Sequence, residues 1–212
     1  MFQALALRAL VQGNIKSKRP ADQVIVKDLC VRRCLKCKIF QAIRNTTFFF
    51  MNITPTPQWA IDALKAANQV AKQAKQEGHH PFGAILLAPD MRTILDQQGN
   101  LDTVNHAEST LAKRAFASFD SNYLWLCTLV TTVEPCAMCS GTQYWANIGR
   151  LVYGLSERAL LDLTGNHAQN PTLDLPSRLV FDAGQKKVEV LGPVREMQEE
   201  IISLHLGFWN SP

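Results

Sequence analysis

Asn105-His106-Ala107-Glu108 and Glu134-Pro135-Cys136-Ala137-Met138-Cys139 are the two stretches around which the rest of the chain is read. One imidazole and two thiols make a three-ligand zinc set whose fourth tetrahedral position stays open, as in a catalytic rather than a structural site. That open position would hold water. Glu108 lies two residues after the histidine, close enough in the first turn of a helix to act on the water without being a ligand, so it is the expected proton carrier. Cys-x-x-Cys alone is as often redox or structural. Joined to the His-x-Glu and preceded by Pro135, it becomes a specific signal.

The same spacing predicts local structure. Residues two apart point in roughly opposite directions within a helix, so His106 and Glu108 can converge only in a first turn, where side chains also address the space beyond the helix end. Cys136 and Cys139 are three apart, on one face, in the first turn after Pro135. The positive end of a helix, with the metal, favours the thiolate forms that ligation needs. Asn105 followed by Glu108 is also close to a capping box, in which the glutamate would only satisfy a backbone amide. The histidine between them and the Pro-Cys-x-x-Cys downstream favour the catalytic role.

Outward from these motifs, Thr56-Pro57 supplies a helix start, and Ile61, Leu64, Ala67, Ala71 and Ala74 recur at helical spacing up to Gly78. Pro81 to Leu87 reads as a buried strand, Pro89-Asp90 as a turn, and Arg92 to Asp96 as a second strand, with a break at Gly99-Asn100. A helix is expected over 106–118, a strand over 125–132 and a third helix from the cysteines to about Ala146. Arg150 to Gly154 is a fourth strand. A connection rich in proline and asparagine follows, through Asn170 to Pro176, then a fifth strand near 187–191 and a last helix over 195–205. Strands alternating with helices predict a three-layer α/β/α sandwich around a mixed five-stranded sheet.

The chain has 212 residues, 47% of them hydrophobic, enough for a sizeable core. No apolar run approaches the roughly 18 residues that cross a bilayer. Six cysteines without a secretory leader do not read as a disulfide framework, so a reducing cytoplasm is the expected setting. The formal charge of +4 divides unevenly at Met51. Residues 1–50 carry ten Lys or Arg against two Asp or Glu, a balance of +8; residues 51–212 carry twelve against sixteen, −4. The motif-bearing part is acidic, which speaks against a polynucleotide substrate, because phosphate neutralisation calls for a basic face. Residues 1–50 hold Cys30, Cys34 and Cys37 but no histidine, too few donors for a closed zinc knuckle. They are acid-poor like a mitochondrial presequence, yet lack its amphipathic period. A poorly structured extension before a domain at 51–212 is the expectation, with activity surviving its deletion.

Residues 58 to about 160 resemble the cytidine and deoxycytidylate deaminase superfamily, and within it the guanine deaminase and tRNA adenosine deaminase branch. The resemblance implies that His106, Cys136 and Cys139 hold zinc and that Glu108 shuttles the proton. Water then attacks the ring carbon bearing the exocyclic amine of a nucleobase or nucleoside, and ammonia leaves. Pro81-Phe82-Gly83-Ala84 matches the family strand whose backbone lines the base pocket, giving Phe82, Gly83 and Ala84 as substrate-binding candidates. Asn100 is the candidate for the asparagine that bonds the base. Only five residues separate it from His106, a spacing shorter than in guanine deaminases, so a turn role is equally open. Tyr144-Trp145 matches the aromatic pair after the zinc cysteines of guanine deaminases, and Trp145 is the candidate to stack on a base, with a core role as the alternative. Phe208-Trp209 is similar to the aromatic tail that closes their pocket. A guanine-like base is therefore the favoured substrate and a homodimer the implied assembly. The rival readings are a tRNA adenosine deaminase, a cytosine-type deaminase and a zinc-stabilised binding protein. His167 and His205 carry no partner motif and are expected in surface or cap roles, and His79-His80 beside Pro81 is read as a solvated loop, with an edge of the pocket as the alternative.

Overall fold

Ala60, Ala63, Leu64, Ala67, Ala71 and Ala74 all fall on one side of helix α1 (Gln58–Gln76), which is buried along its length against a sheet. The computed structural model describes residues 55–210 except Asn166 and Gln169. The expectations for residues 1–50 lie outside the described residues. Thr56 does not cap α1; the helix begins one residue later than expected, after Pro57, and the Thr56 hydroxyl instead bonds Glu196 at 3.1 Å.

The sheet has five strands: β1 (Gly83–Leu87), β2 (Ile94–Gly99), β3 (Thr128–Val133), β4 (Arg150–Leu155) and β5 (Glu189–Leu191). Their order is β2-β1-β3-β4-β5. β1 runs antiparallel to both β2 and β3, whereas β3, β4 and β5 are mutually parallel. β1 and β3 are buried along their whole length because helices cover both faces. Ile85, Leu87, Val130 and Val152 face α1, in a core shared with Leu160, Met197 and Ile201. The intervening Ala84, Leu86, Leu129 and Leu151 point the other way, into a core built with Ala107, Leu111, Ala115, Ile148 and Phe181. That second core packs α2 (Ala107–Ser118), α3 (Ser121–Leu126) and α4 (Ala137–Trp145). The remaining helices are α5 (Glu157–Thr164), α6 (Ser177–Asp182) and α7 (Gln198–His205). The architecture is the expected α/β/α sandwich.

Gly83 is required by close packing. A Cβ there would collide with the backbone of Ala67 and Ala71, so α1 could not lie this near β1.

Two local expectations are corrected. Trp125 and Leu126 belong to α3, not to the strand, because Asp120 caps that helix, its carboxylate accepting the Asn122 and Tyr123 amides. The connection after β4 also contains two helices, α5 and α6, begun at Ser156 and Pro176. Antiparallel and parallel pairing together place the start of β1 and the ends of β2, β3 and β4 at one edge of the sheet, with Gly83 opposite Gly99, Ala84 opposite Thr131 and Val133 opposite Leu155. Loops leaving strand ends at such an edge are where open α/β sheets bind ligands.

Candidate active site

His106 is the N-cap residue of α2, Cys136 is the N-cap residue of α4, and Cys139 lies in the first turn of α4. Two helix N-termini therefore converge, as the spacing predicts. The His106, Cys136 and Cys139 donor atoms lie within 4.8 Å of one another. His106 Nδ1 is 3.7 Å from Cys136 Sγ and 3.5 Å from Cys139 Sγ. A tetrahedral zinc with ordinary Zn–N and Zn–S bonds separates such donors by about 3.6 Å. The residues present fit the ion. Cys136 is held down to about 4, first by the hydrogen bond with Cys139 and then by His106. Cys139 is pushed above its ordinary value by the same bond, by burial and by Glu108. Cys136 is thus the more acidic of the two thiols.

Glu108 does not close a capping box. Asn105 turns away to bond Asp102 at 2.9 Å, and the Glu108 carboxylate is buried beside the donors instead. Its Oε1 accepts the Thr131 hydroxyl at 2.6 Å and its Oε2 accepts the Cys139 thiol at 3.5 Å. Burial raises its pKa, and the Thr131 bond opposes that rise. A carboxyl with one oxygen anchored and the other directed toward the metal donors is built to accept and return a proton.

His106, Glu108 and Cys136 line a cavity together with Phe82, Asn100, Val133, Glu134, Glu157, Leu160 and Asn170. It opens toward a wider vestibule walled by His80, Thr103, Met138, Pro171, Thr172 and Leu173. Asn100 is buried, and its amide bonds the Asp102 carbonyl at 3.1 Å while the residue still faces the cavity, so it serves the turn and the pocket at once. Of Phe82, Gly83 and Ala84, Phe82 lines the cavity; Gly83 is committed to α1 and Ala84 to the core on the α2 side. Trp145 does not join them. It ends α4, 76% exposed, roughly 9 Å along the helix axis from Cys139 at 1.5 Å per residue. Tyr144 packs toward α6, its hydroxyl accepting the Gln185 amide at 3.0 Å.

Trp209, itself buried, lies 4.9 Å from His80 and 6.2 Å from Phe82, ring centre to ring centre. Its indole N–H donates to His205 Nδ1 at 3.3 Å, so His205 is a buried anchor rather than a surface group. His167 is also in edge contact with Trp209. The aromatic C-terminal turn therefore packs against Phe82 and His80, which line the cavity and the vestibule.

Three polar lining residues escape sequence reasoning as site candidates, Glu134, Glu157 and Asn170, along with the apolar Val133 and Leu160. Glu134 follows the end of β3 directly and Glu157 lies two residues past the end of β4, and that position at the ligand-binding edge was the available signal. Asn170 lies in a connection without periodicity and offered none.

The cytidine and deoxycytidylate deaminase zinc-binding region matches residues 57–155. The chain is 34% identical over 163 residues to a probable cytosine deaminase from Schizosaccharomyces pombe, spanning 76% of this chain and 98% of that protein. The chain belongs to the cytidine and deoxycytidylate deaminase family. Among relatives in this deaminase family, a tRNA-specific adenosine deaminase from Haemophilus influenzae is 27% identical over 149 residues, covering 65% of this chain and 86% of that protein. A guanine deaminase from Nitrosomonas europaea shares the deaminase fold, with a TM-score of 0.55 at 18% identity over 76% of this chain and 88% of that one. The cofactor of the family is zinc, and His106, Cys136 and Cys139 are positioned to bind it.

Proposed function

We propose that this deaminase hydrolyses the exocyclic amine from a small uncharged nucleobase or its nucleoside, releasing ammonia. One observation carries the choice of substrate class. Among the described residues lining the cavity and its vestibule there is no lysine or arginine, while Glu108, Glu157, Asn100 and Asn170 present acceptors. Such a site suits a donor-rich, uncharged ring and offers no lysine or arginine to a phosphate. The −4 balance of residues 51–212 points the same way, against a tRNA substrate.

Bound zinc would acidify a water and polarise it for attack. The chain's own groups do the rest. Phe82 packs against the ring, and Asn100 and Asn170 hold its polar edge. Glu108, fixed by Thr131, takes the proton from the attacking water, passes it to the ring nitrogen and then serves the departing amine. Within this class the packing of Trp209 against Phe82 supports a guanine-like base. The near-full-length similarity to a probable cytosine deaminase supports cytosine as a second reading.

The test is ammonia release by the zinc-loaded protein from guanine, cytosine, isocytosine, adenine, their nucleosides and a tRNA anticodon stem-loop. Turnover of a base or nucleoside that falls at least 10²-fold in Glu108→Ala is expected. Activity confined to the stem-loop would overturn the substrate class, and activity unchanged in Glu108→Ala would overturn the mechanism.

A further inference from the structure

Every residue between Asn100 and His106, from Leu101 to Asn105, is exposed. Both ends of the stretch line the cavity, one as a buried amide and the other as a metal donor. Leu101 and Val104, the apolar residues between them, join neither core. Burial therefore does not set the separation of Asn100 from His106.

Hydrogen bonds do, and four of them meet at Asp102. Its Oδ1 accepts the Val104 amide at 2.8 Å and the Asn105 amide at 2.7 Å. Its Oδ2 accepts the Asn105 side-chain amide at 2.9 Å. Its backbone carbonyl accepts the Asn100 side-chain amide at 3.1 Å. The Leu101 amide then closes the loop on the Asn105 carbonyl at 3.1 Å. A carboxylate that gathers the amides two and three residues on is an Asx turn, and its charge makes each bond stronger than a neutral counterpart. The bonds from Asn105 and Val104 hold the Asp102 carboxyl down to about 2, so it is ionised at neutral pH. The turn reaches the metal donors as well. The Thr103 carbonyl accepts from the His106 imidazole, whose Nδ1 lies 3.7 and 3.5 Å from the two sulfurs. Metal-binding histidines are oriented by such carbonyl partners, and losing that support typically costs about 10- to 100-fold in metal affinity or activity.

We propose that Asp102 is a positioning residue of the active site, its carboxylate closing the turn that holds the His106 imidazole and the Asn100 amide at one fixed separation. It touches neither metal nor substrate. The metal half of the inference stands on the ligand set, and the substrate half rests on the proposed deamination of a base held by Asn100. A matching turn supplies the control. Between β1 and β2, at the opposite edge of the sheet, Asp90 Oδ1 accepts the Arg92 and Thr93 amides at 2.9 Å each and Oδ2 accepts the Thr93 hydroxyl at 2.6 Å.

The experiment measures zinc affinity by competition with a chromogenic chelator, thermal stability, and kcat and KM at saturating zinc. Asp102→Ala should weaken zinc binding about 10-fold and lower kcat/KM by about 10- to 100-fold, with kcat falling and KM rising together. Asp102→Asn keeps an oxygen for the Val104 and Asn105 amides and should restore both quantities to within about 3-fold of the wild type. Asn105→Ala removes only the Oδ2 bond and should shift both in the same direction by about 2- to 5-fold. Asp90→Ala should lower the melting temperature much as Asp102→Ala does, while zinc affinity and kcat/KM stay within about 2-fold of the wild type. Zinc affinity and kcat/KM as high in Asp102→Ala as in Asp90→Ala would overturn the proposal. An Asp102→Asn as poor as the alanine variant would do the same, because closure of the turn would then not be the cause. Should Asp102→Ala not fold, Asn105→Ala decides, and wild-type values there overturn the proposal. If the wild type turns over no base, the proposed function falls, and the zinc affinities alone decide whether Asp102 positions His106.

Discussion

Glu134 holds Ser177 twice through one oxygen: Oε1 accepts the Ser177 amide at 2.9 Å and its hydroxyl at 2.7 Å. The other oxygen accepts the Glu157 amide at 3.2 Å. Three segments are tied at this point: the residue that follows β3 and precedes Pro135-Cys136, the start of α5, and the start of α6. All three groups are buried, so the carboxylate replaces the water that two helix N-termini would otherwise need.

Replacing Glu134 by alanine strands these donors and should cost about 3–5 kcal/mol of stability. For a domain of this size that lowers the melting temperature by roughly 10 °C. Ser177→Ala removes only the hydroxyl bond and should cost about 1–2 kcal/mol. Thermal melts of both variants and of the double mutant decide it. The double mutant should be less destabilised than the two single losses added together, because the same bond is lost in each. Full additivity would place the loss elsewhere.

The sheet was readable from the chain because its signals are local. Pro81 to Leu87 is apolar without interruption, as a strand covered on both faces has to be, and the alanines of α1 repeat at helical spacing. The metal donors were readable because their geometry follows from spacing within single helix turns. The rest depends on residues far apart in sequence. Whether Glu108 caps a helix or faces the metal donors is decided by Thr131, on another element. Trp145 looks like a pocket residue when counted from Cys139, but the direction of α4 carries it to the surface. Glu157 and Glu134 are ordinary glutamates until β3 and β4 end side by side, with Val133 opposite Leu155. The helical turns of α5 and α6 were hidden by the prolines and asparagines of the segment between them.

Thr131→Val tests how Glu108 is held. The substitution keeps the shape of the strand residue and removes the hydroxyl that donates to Oε1 at 2.6 Å. Burial then acts on the Glu108 carboxyl without the bond that opposes it, so its pKa rises further. A drop in kcat of about 10-fold with unchanged zinc content is expected. The acidic limb of the kcat profile should move to higher pH. A profile superimposable on that of the wild type would show that Thr131 does not tune Glu108.

Cys139 is wholly buried and packed against Glu108 Oε2, so Cys139→Ser changes one atom in a closed setting. A serine hydroxyl does not ionise as the thiol does, and three-ligand zinc binding should be lost, with metal content falling from about one per chain to below a tenth. Because zinc binds the folded chain, its removal by a chelator should also lower the melting temperature of the wild type while leaving that of Cys139→Ser unmoved. An equal response of the two proteins to chelation would mean that the stabilising ion lies elsewhere.

His205 gives the C-terminal turn a dependence on pH. Burial first, then the charges of Lys75 and His80, lower its pKa from 6.5 to about 4. The neutral ring accepts the Trp209 indole N–H on Nδ1. Between pH 6.5 and 4 the unfolded chain binds a proton at this site that the folded chain refuses, so stability rises with pH through that window and is lost as pH falls through it. From pH 7 to pH 5 the loss amounts to about 2 kcal/mol. Urea unfolding of the wild type and of His205→Phe at both values separates this contribution from other titrations. The phenylalanine variant also loses the Trp209 bond and should be the less stable at pH 7, but its stability should fall less than that of the wild type on moving to pH 5. Equal losses in the two proteins would show that His205 titrates normally and that the Trp209 contact does not depend on its neutral ring.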